Sequence, residues 1–276
     1  FEILFSLVQA TAQLEVFEWD WDYISNHKFL STDIRNLTQF KEKINWSILS
    51  GSNAIQQKFN PRINWETYNE WENNTDKYLS KYADNWDWKV LSKNEYVTAN
   101  LFLITKYKGE KWDWELLSEF GGFLTKPNKN KEKYLVEKVV KQFHSYIKFE
   151  YLSKRKDINI DNNVILSTKD KNWDWQILSE NEKAEISNEL ILELKNKNWN
   201  WKALSKRKAI EFTNETLLQL LEKDWDWSYL SENTNLEFSG DFIEKAKEKS
   251  WNWNAVSHHK TFLPTVEILK LTKDFD

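Results

Sequence analysis

The residues able to do chemistry in this chain recur at intervals instead of gathering at one place. A serine returns at Ser92, Ser118, Ser153, Ser179, Ser205, Ser231 and Ser257, each closing a short aromatic stretch. A nucleophilic serine needs a base within hydrogen-bond reach, and the histidines His27, His144, His258 and His259 are scattered. So many near-equivalent active sites make no sense, so the serines read as structural. No two histidines stand at helical i, i+4 spacing, and without cysteine a thiolate zinc site is impossible. There is no glycine-rich phosphate loop and no Gly-x-Ser-x-Gly. No catalytic residue, metal ligand or cofactor is therefore expected, and the chain reads as a non-enzyme.

Two columns of residues remain that suit binding. One is tryptophan: an exposed ladder at one ring per repeat would stack bases or sugars. The short stretches that carry these rings have few other large apolar residues, so the rings are needed for a core, and the core reading is preferred. The other is lysine, at Lys171, Lys197, Lys223 and Lys249, a stripe that would track phosphates. Its bland explanation is compensation of a helix C-terminus.

Both columns belong to a repeat. Trp173-Asp174-Trp175-Gln176-Ile177-Leu178-Ser179 returns as Trp-Asp/Asn-Trp-x-x-Leu/Val-Ser at Trp86, Trp112, Trp199, Trp225 and Trp251, and at Trp19 with Ile24 in the Leu slot. Weaker copies start at Ile44, Ile63 and Ile147. The starts at 147, 173, 199, 225 and 251 are each 26 residues apart, as are 86 and 112, the signature of stacked repeats. Counting the first motif residue as position 1, position 2 is Asp or Asn in every copy but the one with Lys148. Such side chains accept from free amides of a first helical turn, so position 2 predicts an N-cap. Positions 1 and 6 then form a hydrophobic staple, as with Trp173 and Leu178. Ser187-Asn188-Glu189, Thr213-Asn214-Glu215 and Ser239-Gly240-Asp241 predict the start of a second helix after a polar stretch.

Composition agrees. A mean hydropathy of -0.74 with 30% charged residues suggests a solvated chain, but 17 Trp, 16 Phe and 10 Tyr are far more than disorder allows. Only 5 Gly and 3 Pro disfavour hairpin-rich all-β folds. A two-helix unit this short cannot bury its rings alone, so units must stack. The expected fold is all-α, a right-handed α-solenoid of two-helix repeats of about 26 residues, about ten in number. It is expected to form one array over 1–276: irregular repeats in 1–85, regular ones in 86–120 and 147–276, and a looped insertion at 121–131. Residues 1–18 read as the second helix of a preceding unit. With no Met anywhere, including at Phe1, the chain is expected to be a piece of a longer protein. No apolar run approaches the length of a membrane span, and an intracellular location is the default expectation.

Charge is uneven. Residues 121–172 hold 12 Lys/Arg against 6 Asp/Glu, in a chain of net charge -4. Lys126, Lys129, Lys131, Lys133, Lys138 and Lys141 form the best candidate contact patch, for an acidic protein or a nucleic acid. At positions 8–10 the sign alternates between repeats, from Lys154-Arg155-Lys156 to Glu180-Asn181-Glu182 to Lys206-Arg207-Lys208. If that edge aligns, neighbours pair oppositely, which favours stacking over a nucleic-acid groove. Position 4 (Asp22, Lys89, Glu115, Gln176, Lys202, Ser228, Asn254) varies freely, as solvent or partner contacts do.

The motif resembles the Trp-Asp-Trp-x-x-Leu-Ser tandem repeats of giant-virus and some bacterial proteins, over positions 1–7 from Trp19 to Ser257. Those proteins commonly carry Asn-Pro after the Ser, where this chain has Asn181-Glu182 or Asn233-Thr234. The resemblance implies a repeat fold and no activity. The expected function is a scaffold that binds a protein partner, with no membrane association. The alternatives are a nucleic-acid-binding array that uses the Lys column and the central basic patch, and an accessory region of a larger enzyme.

Overall fold

A computed structural model describes residues 18–28, 30, 34–61, 68–125 and 135–271. Among them are 20 α-helices, one 3-10 turn and no strand beyond an isolated parallel bridge between Ile160 and Ala184. The chain divides into two compact units, Phe1–Asn130 and Lys131–Asp276. The division falls at the end of the insertion expected at 121–131.

Eight of the described repeats open on the same capped helix. In Trp175–Glu180 the Asp174 carboxylate accepts from the Ile177 amide at 3.0 Å. Asn200, Asp226 and Asn252 do the same for Trp201–Ser205, Trp227–Leu230 and Trp253–Ser257, as do Asp20, Asn45, Asp87 and Asp113 in the first unit. Lys148, which has no acceptor, caps nothing. The second helices start where their hydroxyls predict: Ser187, Thr213 and Ser239 cap Asn188–Glu193, Asn214–Gln219 and Gly240–Ala246. Position 6 is the inner face of the first helix, with Leu49, Leu91, Leu117, Leu152, Leu178, Leu204 and Leu230 fully buried.

The stretch between the two helices is not the polar linker its composition suggests. Ile158-Asn159-Ile160, Ala184-Glu185-Ile186, Ile210-Glu211-Phe212 and Leu236-Glu237-Phe238 bury their first and third side chains. Ile160 donates its amide to the Lys183 carbonyl and accepts from the Glu185 amide, which joins one such segment to the next. Asn188 Nδ2 on the following helix donates to the Glu211 carbonyl at 2.7 Å, one repeat on.

One further correction concerns the insertion. The start of the insertion is core, not loop. Gly122–Leu124 is a 3-10 turn that buries Phe123 and Leu124, and a Cβ on Gly122 would lie 2.9 Å from the Ala99 Cβ. In the first unit, the Ser50 hydroxyl accepts from the Asp87 amide, so the repeat at Ile44 is linked to the one at Trp86. Most of the weak copy at Ile63 lies outside the described residues. On either side of it the chain forms helices Asn53–Lys58 and Tyr68–Lys81.

Candidate functional site

The motif residues are occupied with the neighbouring repeat. Where the next repeat opens on a tryptophan, the position-3 ring meets it edge to face. Trp175 and Trp199 have centroids 4.8 Å apart at 69°, Trp201 and Trp225 4.9 Å at 69°, and Trp227 and Trp251 4.8 Å at 66°. Phe149 and Trp173 repeat the arrangement, as do Trp88 and Trp112 in the first unit. Such pairs add stability beyond the area they bury. The position-1 indole N–H also reaches back to the preceding second helix, Trp199 to the Leu194 carbonyl and Trp225 to that of Leu220, both at 2.9 Å. All position-1 tryptophans from Trp86 to Trp251 are buried. These position-1 rings are core and closed to stacking by a base or a sugar, whereas Trp46, Trp114, Trp201 and Trp253 at position 3 are half-buried.

The serine column completes the joint. Ser179 Oγ donates to the Trp175 carbonyl at 2.6 Å and accepts from the Asn200 amide at 3.0 Å. Ser25, Ser92, Ser153, Ser205 and Ser231 likewise accept from the position-2 amide of the next repeat. A buried hydroxyl held on both sides cannot be a nucleophile without losing the joint. The partner amide lies 21 residues away, so sequence spacing alone does not reveal it.

The Lys column lies over aromatic rings. Lys197, Lys223 and Lys249 hold their ammonium groups 5.4, 5.4 and 5.8 Å from the rings of Trp175, Trp201 and Trp227. This is cation–π geometry within one repeat, a role neither the phosphate nor the helix-end reading contains. Lys171 is exposed. Of the basic patch, Lys126, Lys129, Lys131 and Lys133 lie outside the described residues. Lys138 and Lys141 are exposed on helix Leu135–Phe143, and Lys141 pairs with Glu137 one turn back at 2.6 Å.

Positions 8–10 differ from the expected charged edge. Positions 8 and 10 are exposed, but position 9 turns inward. Asn181, 2% exposed, donates through Nδ2 to the Ser153 carbonyl at 2.9 Å and the Arg155 carbonyl at 2.7 Å. Arg207 donates to the Ala184 carbonyl, Asn233 to that of Ile210, and His259 Nε2 lies 3.1 Å from the Asn233 carbonyl oxygen. This column is a second seam between repeats, made by side chains that carry an N–H donor.

Position 4 is the motif position that faces outward. Asp22, Ser47, Lys89, Glu115, Glu150, Gln176, Lys202, Ser228 and Asn254 are all exposed. Among the described residues no group of three or more His, Asp or Glu is placed to hold a metal ion, and no helix is long and apolar enough to cross a membrane. The chain matches no family model, and neither a curated protein nor a solved structure is similar to it.

Proposed function

We propose that the chain is a non-enzymatic scaffold, an α-solenoid within each unit, right-handed in sense, that binds a protein partner through exposed variable positions. The observation that supports this reading is the division of labour along the motif. Positions 1, 2, 3, 6, 7 and 9 are occupied by caps, ring pairs and inter-repeat hydrogen bonds. Position 4, one residue after a buried or half-buried aromatic ring, is exposed in all nine described repeats and carries acidic, basic, amide and hydroxyl side chains. Recurrent residues hold such an array together, and the surface they present is free to specify a partner.

A photo-crosslinking residue at Gln176, Lys202 or Ser228 in the full chain tests this. One common protein adduct from all three sites is the expected result. No protein adduct from any of them contradicts the scaffold. Adducts to RNA or DNA that disappear as salt is raised would instead support a phosphate-tracking array.

A further inference from the structure

Position 9 occurs twice as arginine, and the two copies differ in one respect. Arg155, 2% exposed, is closed by a carboxylate from its own chain: Nε and Nη2 donate to the two oxygens of Asp157, each at 2.8 Å. Asp157 reaches in from outside, with 57% of its side chain still exposed. Burial pushes its carboxyl up, but the hydrogen bonds and charge of Arg155 outweigh this and leave it below the usual carboxylate value. Position 11 is thus where a carboxylate completes the buried guanidinium.

Arg207 is the same residue without that partner. It is 9% exposed, its position 11 is Ala209, and its Nε and Nη1 have no hydrogen-bond partner. Only Nη2 is engaged, with the Ala184 carbonyl. Buried, unpaired donors of a charged group are costly, and native chains rarely leave them so. Burial holds the Arg207 pKa below the usual arginine value, and the charge of Glu182 offsets part of this without a hydrogen bond. Ala209 is exposed, and it opens on a groove of about 820 Å³ to which Lys202, Lys206 and Lys208 contribute positive charge and Glu180 and Glu182 negative charge.

We propose that this groove takes a carboxylate side chain from an acidic segment of a protein partner, in the place beside Arg207 that Asp157 fills beside Arg155. The inference rests on the scaffold reading and names the partner's chemistry. A partner side chain passing over Ala209 arrives by the route Asp157 takes, and contact requires the side chains that cover the guanidinium to part. The bidentate fork then gains what a planar guanidinium binds best.

The test uses a fluorescein-labelled octaglutamate peptide and the full chain, read by anisotropy, with octaglutamine as the neutral control. Wild type is expected to bind octaglutamate and not octaglutamine. Ala209→Asp supplies the missing carboxylate from within. It should weaken octaglutamate binding at least about tenfold and raise Tm by about 2–5 °C. Asn172→Asp adds the same charge at an exposed residue of another repeat, outside both position 4 and the groove, and should leave binding unchanged. Octaglutamate binding by Ala209→Asp within about twofold of wild type, or no binding by wild type, overturns the proposal. The scaffold reading fails separately. A protein adduct at position 4 that forms equally well with Ala209→Asp rejects the groove and leaves the scaffold standing, whereas the absence of any protein adduct rejects the scaffold.

Discussion

Trp199→Ala should destabilise the second unit by about 3–5 kcal/mol, the range for removing a fully buried large aromatic side chain. Three losses coincide there: the buried indole, its edge contact with Trp175, and the hydrogen bond to the Leu194 carbonyl. Trp199→Phe separates them. It keeps an aromatic ring against Trp175 and removes one of the two donors to the Leu194 carbonyl, which still accepts from the Lys197 amide, so its cost should fall to about 1–3 kcal/mol. Urea denaturation followed by circular dichroism measures both. Because each repeat leans on its neighbours, hydrogen exchange should speed up first in the repeats on either side of position 199. A loss under about 1 kcal/mol for the alanine variant would mean that the ring is dispensable to the core.

Asn181→Ala carries the second largest expected effect. One amide group satisfies the carbonyls of Ser153 and Arg155 and accepts from the Lys183 amide at 3.0 Å, in a site closed to water. Leaving those groups unpaired should cost about 2–4 kcal/mol. Asn181→Asp should be worse at neutral pH, since it turns a carboxylate oxygen toward two carbonyl oxygens where an N–H donor stood. Denaturation midpoints of the two variants at equal pH give the order. Aspartate tolerated better than alanine would show that the donor is not what the site needs.

These two residues also mark how far the sequence could be read. Trp199 was legible as core because its type, its 26-residue period and the cap beside it agree, and the second helices were legible from Ser187, Thr213 and Ser239 for the same local reason. Each rests on contacts within a few residues. Asn181 was not legible, because nothing in Glu180-Asn181-Glu182 shows that the middle side chain turns inward. Its partners lie 28 and 26 residues back. Arg155 and Arg207 misled in the same way, since arginine among lysines reads as surface unless its partner is known. The Lys column needed the fold as well, for Lys197 meets Trp175 only once the second helix has carried the chain back. The alternation in Ile210-Glu211-Phe212 was visible but short, and three residues do not separate an extended segment from a turn.

The central claim is that the motif joins one repeat to the next, so that Trp175 answers to Trp199 and not to its own neighbour Trp173. A double-mutant cycle on Trp175 and Trp199, with Trp173 and Trp175 as the comparison, tests this most directly. The expected result is a coupling of about 0.5–1.5 kcal/mol across the 24 residues that separate the first pair, and a smaller one within the motif. Strict additivity for Trp175 and Trp199, with the coupling found inside the motif instead, would contradict it.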